Sequence, residues 1–80
     1  MTIYTVTLIT LQVRVNEPQV WVFTKDEDAQ SFAFTWMYNQ SGLSPRAQFT
    51  MSYEQMEDFC ISQDICTVEI QSHRINLPTN

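Results

Sequence analysis

The chain has 80 residues, 44% of them hydrophobic and 12% aromatic, with one Gly and three Pro. That suffices for one packed domain, is too short for two, and is too apolar for a disordered chain. Nine Asp and Glu against four Lys and Arg give a net charge of −5, and the cations, Arg14, Lys25, Arg46 and Arg74, are too dispersed to grip a phosphate backbone directly.

Residues 3–15 are rich in Ile, Val, Leu, Thr and Tyr, which suit a pleated strand. Tyr4, Val6 and Leu8 share one face, and Ile9, Leu11, Val13 and Val15 the other. The change of phase at Leu8–Ile9 fits a β-bulge, or a long strand buried on different faces at its two ends. Asn16-Glu17-Pro18-Gln19 is a turn, and Val20–Phe23 a short apolar strand that closes an antiparallel hairpin.

Thr24 and Glu27 have capping-box spacing, so a helix is expected from Thr24, with Asp26, Glu27 and Asp28 at the positive end of its dipole. Ala29, Phe32, Ala33, Trp36 and Met37 recur on one helical face. The helix should end near Asn39, with Gly42 as a left-handed cap.

Residues 43–51 read as a short strand, in which Ala47, Phe49 and Met51 alternate with Gln48 and Thr50, or as a helical turn opened by Ser44-Pro45. Ser52-Tyr53-Glu54-Gln55 is a second capping-box pattern. A helix from there to about Ile61 turns Tyr53, Met56 and Cys60 inward and Glu54, Glu57 and Asp58 mostly outward. After a turn at residues 62–64, residues 65–77 form the last strand, with Cys66, Val68 and Ile70 alternating inward. The order is β-β-α-(β)-α-β. The expected class is α+β, a small antiparallel sheet of three to four strands packed on one face by one or two helices.

The longest uncharged run, Met1–Val13, is shorter than the roughly 20 apolar residues of a spanning helix. It also lacks the basic start and cleavage site of a signal peptide. A cytoplasmic protein is expected, with Cys60 and Cys66 as reduced thiols and a bridge between them as the less favoured alternative.

No motif points to catalysis. Ser72 and His73 are neighbours, but adjacent strand residues point to opposite faces. Cys60, Cys66 and His73 lack the spacing and the fourth ligand of a zinc site. One glycine cannot build a phosphate loop. Two of the nine acids could meet for acid–base work, but the spacing singles out no pair. The chain is therefore read as a non-enzyme that takes no metal and no cofactor.

The acids themselves are patterned. Asp26, Glu27 and Asp28 form one group, and Glu54, Glu57, Asp58 and Asp64 another. Helices lying side by side would merge the two into one negative face. Such a face can occupy a nucleic-acid groove on another protein, because carboxylates roughly reproduce phosphate spacing. The plain alternative is helix capping and a solvated surface. Phe34 and Tyr38 lie off the main apolar face of the first helix. They serve either as a second contact surface or as filling against residues 43–51. Glu54, Glu57, Asp58, Asp64, Asp26, Asp28, Phe34 and Tyr38 are thus the candidate partner-binding residues.

In size, acidity and compact α+β layout the chain resembles the small phage-encoded inhibitors of host defence, such as anti-CRISPR and anti-restriction proteins. The resemblance is one of general character, without a shared motif. It implies a stoichiometric inhibitor in the host cytoplasm that covers a nucleic-acid or partner site on a host protein with a basic surface. The alternative is a self-associating structural or regulatory protein without catalytic activity, joined as a homodimer through exposed sheet edges or aromatics.

Overall fold

The computed structural model describes residues 1–11 and 17–76. The expected strand residues 12–15, including Arg14, the first residue of the turn, Asn16, and the end of the last strand at Leu77 lie outside the described residues. The elements are β1 (Thr2–Thr10), β2 (Gln19–Phe23), α1 (Asp26–Ser41), α2 (Ala47–Thr50), α3 (Tyr53–Ser62) and β3 (Cys66–Arg74). The three strands form one antiparallel sheet in the order β2-β1-β3; α1 and α3 pack on one of its faces, and α2 packs on α1.

The alternation of β1 decides which face that is. Val6 and Leu8 are buried beneath the helices, as are Cys66 and Val68 of β3. Val6 lies opposite Trp21 and Ile70, and Leu8 opposite Gln19 and Val68. β1 pairs without a break with β3 from Thr2 to Thr10 and with β2 from Tyr4 to Leu8, so no bulge interrupts it. Ile9 simply points to the uncovered face, together with Ile3, Thr5 and Thr7. That face needs no helix because its other side chains, such as Glu69, Gln71 and His73, are exposed and polar. His73 Nε2 and Thr5 Oγ1 share a hydrogen bond of 3.0 Å there.

The first helix begins one residue later than the capping-box spacing suggests. Lys25 is the N-cap, and no side chain caps the helix. The amide of Ala29 donates to the Lys25 carbonyl in the first helical bond, at 3.1 Å. Thr24 therefore stands one position too early for its hydroxyl to reach the free amides of the first turn. Asp26, Glu27 and Asp28 still occupy that turn, where the helix dipole favours them. The fully buried line of α1 is Ala29, Ala33 and Met37, at i, i+4 and i+8, with Phe32 and Trp36 half-buried beside it. The helix runs to Ser41, and Gly42 caps it with φ 72°.

Residues 43–51 hold no strand. Pro45 opens a turn, and bonds from Gln48 N–H to the Pro45 carbonyl and from Thr50 N–H to the Arg46 carbonyl close the short helix α2. Local bonding satisfies this backbone without a neighbouring strand. Phe49, expected on the same face as Ala47 and Met51, is instead 86% exposed, because helical spacing turns it away from the buried Ala47. The helix α3 starts as its sequence suggests. Ser52 Oγ accepts from the Gln55 amide at 3.2 Å, and Gln55 Oε1 accepts from the Ser52 amide at 2.8 Å. Met56 and Cys60 of this helix are fully buried.

At its other end α3 closes in a Schellman motif. The Ile65 amide donates to the Cys60 carbonyl at 2.9 Å and the Asp64 amide to the Ile61 carbonyl at 3.1 Å, with Asp64 left-handed at φ 60°. The turn brings Cys66 back beside Cys60. Both thiols are free and buried, and Cys60 Sγ also donates to the Met37 carbonyl at 3.7 Å. Burial pushes the Cys60 pKa up, and it pushes that of Cys66 up to about 12, helped by the neighbouring Cys60 sulfur. These are inert core thiols rather than reactive ones.

Candidate protein-binding site

Two acidic helix starts converge beside β3. The N-terminus of α1 contributes Asp26, whose Oδ2 accepts from Gln30 Nε2 at 2.9 Å one turn later. The N-terminus of α3 contributes Tyr53 and Glu54, with Glu57 one turn on. Together with Val68 and Ile70 of β3 these residues line an open depression of about 540 Å³. Val68 and Ile70 give it an apolar wall, and three carboxylates from two segments of chain stand around it. Among the described residues, no ion pair engages Glu54 or Glu57. Tyr53 is half-buried; its removal from water, with the Glu57 carboxylate second, pushes its pKa up to about 12, so it stays a neutral hydrogen-bonding group throughout the physiological range.

The acids expected to act together thus divide into three sets. Asp26, Glu54 and Glu57 meet at the depression, as side-by-side helices require. Asp28 and Asp58 are exposed on the same two helices but do not line it. Asp64 serves the end of α3, where its left-handed backbone forms the turn into β3. Phe34 and Tyr38 are half-buried and pack against the core instead of forming an exposed patch. The sequence reading missed Gln30, Tyr53, Val68 and Ile70 as members of one site. Gln30 is detectable as the i+4 neighbour of Asp26, and Tyr53 as the neighbour of Glu54. The β3 wall comes from a distant segment, and no local pattern announces it.

The arrangement suits a cation with an apolar stem. A Lys or Arg side chain from a partner could lay its methylenes on Val68 and Ile70 and set its charge among the carboxylates. Among the described residues, no group of three or more His, Cys, Asp or Glu side chains is arranged to hold a metal ion, and no helix is long and apolar enough to cross a membrane. A second, smaller depression of about 180 Å³ lies between α1 and the hairpin, lined by Leu8, Thr10, Glu17, Gln19, Trp36 and Gln40.

The fold and the site together define a two-layer α+β domain with an acidic surface depression. Compared with protein-family models, with curated proteins and with solved structures, the chain has no match.

Proposed function

We propose that the chain is a non-catalytic protein-binding module, and that the depression between α1, α3 and β3 receives a basic side chain from its partner. The observation that supports this reading is the meeting of Asp26, Glu54 and Glu57 around one apolar-walled depression, with no ion pair at Glu54 or Glu57 among the described residues. An excess of acids over bases in the whole chain leaves few cations of its own to neutralise them. In its narrower form the proposal makes the protein a stoichiometric inhibitor, of the phage anti-defence kind, that occupies the nucleic-acid site of a host protein. Size and acidity support that form.

The test is affinity capture from a bacterial lysate with the wild-type chain and with Glu54→Lys/Glu57→Lys, each at low and high salt. The wild type should retain a partner with a basic surface, and added salt should weaken the capture. The double variant should fold and lose the partner, since Glu54 is exposed, Glu57 is half-buried, and neither belongs to the core. Equal capture by the folded variant would reject the site. A captured nuclease or nucleic-acid-binding complex, whose nucleic acid the wild-type chain displaces, would support the inhibitor form.

A further inference from the structure

We infer that β2 is a dimerisation edge, pairing antiparallel with β2 of a second copy across a two-fold axis at Trp21. The inference is independent of the acidic depression.

Among the described residues, the strand order leaves β2 with a neighbour on one side only. A bare edge offers its backbone amides and carbonyls to another strand, and proteins usually blunt it with charges, bulges or a cover. The other edge strand, β3, carries Glu69 and Arg74. Gln19–Phe23 carries no charge and pairs with β1 without a bulge. Its side chains are also unusually open, with Val20 60%, Trp21 49% and Val22 59% exposed. Trp21 leans on Phe32 at a ring-centroid distance of 5.3 Å, and Phe23 does so at 5.1 Å, so a rigid aromatic cluster ends abruptly at this edge.

The occupant follows from the symmetry of the segment. A two-fold dimer needs a surface that complements itself. Antiparallel pairing centred on Trp21 sets Val20 opposite Val22 of the second copy, and Trp21 opposite Trp21. Beyond the ladder, Glu17 and Lys25 flank the strand on opposite sides of Trp21, so the two-fold axis brings Glu17 of one copy near Lys25 of the other at both ends of the pairing. Lys25 still has extended backbone angles, φ −127° and ψ 135°, and both charged residues are exposed. The seam is therefore apolar in the middle and closed by opposite charges at each end, although each chain carries −5. The acidic depression is lined by residues of α1, α3 and β3 and by none of β2. Pro18 has no amide to donate and limits the ladder to Gln19–Phe23.

The experiment is sedimentation equilibrium of the full chain, with engineered thiols to read the register. Wild type should dimerise below about 1 mM. Val22→Lys should give a folded monomer by circular dichroism. Glu17→Lys and Lys25→Glu should each weaken the dimer about tenfold, and the two together should restore it, because each single change sets two like-charge pairs at the seam. Under oxidised glutathione Trp21→Cys should yield a disulfide-linked dimer, since opposed strand residues lie within bridging distance. Val20→Cys alone should not, its symmetry mate being displaced about 7 Å along the strand. A wild-type chain that stays monomeric at 1 mM overturns the inference. So does a dimer that Val22→Lys leaves intact, or one in which Trp21→Cys fails to cross-link.

Discussion

Asp64 holds a left-handed backbone, φ 60°, in a position where glycine is usual. It also sets a negative charge at the carbonyl end of α3, which has no basic residue in its last turn. Both effects disfavour aspartate. Asp64→Gly is expected to raise the stability by about 1 kcal/mol, read as a higher denaturant midpoint at unchanged slope. A fall would mean that the Asp64 side chain stabilises the turn. A second residue-scale effect concerns alkaline pH. Tyr53 and Cys66 are neutral in the fold and their pKa values are pushed up to about 12, from 10.0 and 9.0. A raised folded pKa means that the contribution is fully present below the unfolded pKa and is lost as pH rises through the folded one. Stability should therefore be flat through neutrality and decline from about pH 9 towards pH 12. Thiolate absorbance should appear together with unfolding, and a thiolate signal in the folded state at pH 9 would contradict the burial of Cys66.

At the scale of elements, the two capping-box patterns have opposite outcomes for one physical reason. A side-chain cap works only when its residue is the last non-helical one. Ser52 meets that condition and exchanges two hydrogen bonds with Gln55. Thr24 does not, since Lys25 is the N-cap. Ser52→Ala should cost about 1 kcal/mol, which lowers the melting temperature of a domain this size by about 4–8 °C. Thr24→Ala should leave thermal melting within about 0.5 kcal/mol of wild type. A reversed ranking would place the start of α1 at Thr24. The short helix α2 teaches the same lesson about local competition. Ala47, Phe49 and Met51 fit the period of a strand, but Ser44-Pro45 bends the backbone into helical hydrogen bonds before a strand can form.

For the whole molecule, the core lies between one sheet face and the helices. Met37 of α1 and Met56 of α3 are its largest fully buried side chains. They meet Val6 and Leu8 of β1, and Cys66 and Val68 of β3, in one cluster. Met56→Ala should cost about 2–5 kcal/mol, a large share of the roughly 5–15 kcal/mol that holds a small domain folded. Phe49→Ser, on a side chain 86% exposed, should change chemical denaturation by less than about 0.5 kcal/mol. Equal losses for the two would mean that Phe49 is covered by something in solution.

Features that depend on near neighbours are legible in the residues alone. The helical faces of α1 and α3, the Ser52 cap, the Gly42 stop and the alternation of β3 all follow from backbone period and local hydrogen bonding, so they were legible without a fold. The class, an antiparallel sheet with helices on one face, followed from the order of those elements. The tertiary structure alone decided the strand order, which puts β2 at the edge and leaves Val20, Trp21 and Val22 open although their run is as apolar as a buried strand. It alone decided which acids meet. Asp26 lies 28 residues before Glu54, and only the packing of α1 and α3 against β3 brings them around Val68 and Ile70. Periodicity reports which residues share a face of one element; which faces then meet depends on how the elements pack to bury one common core, a property of the whole chain.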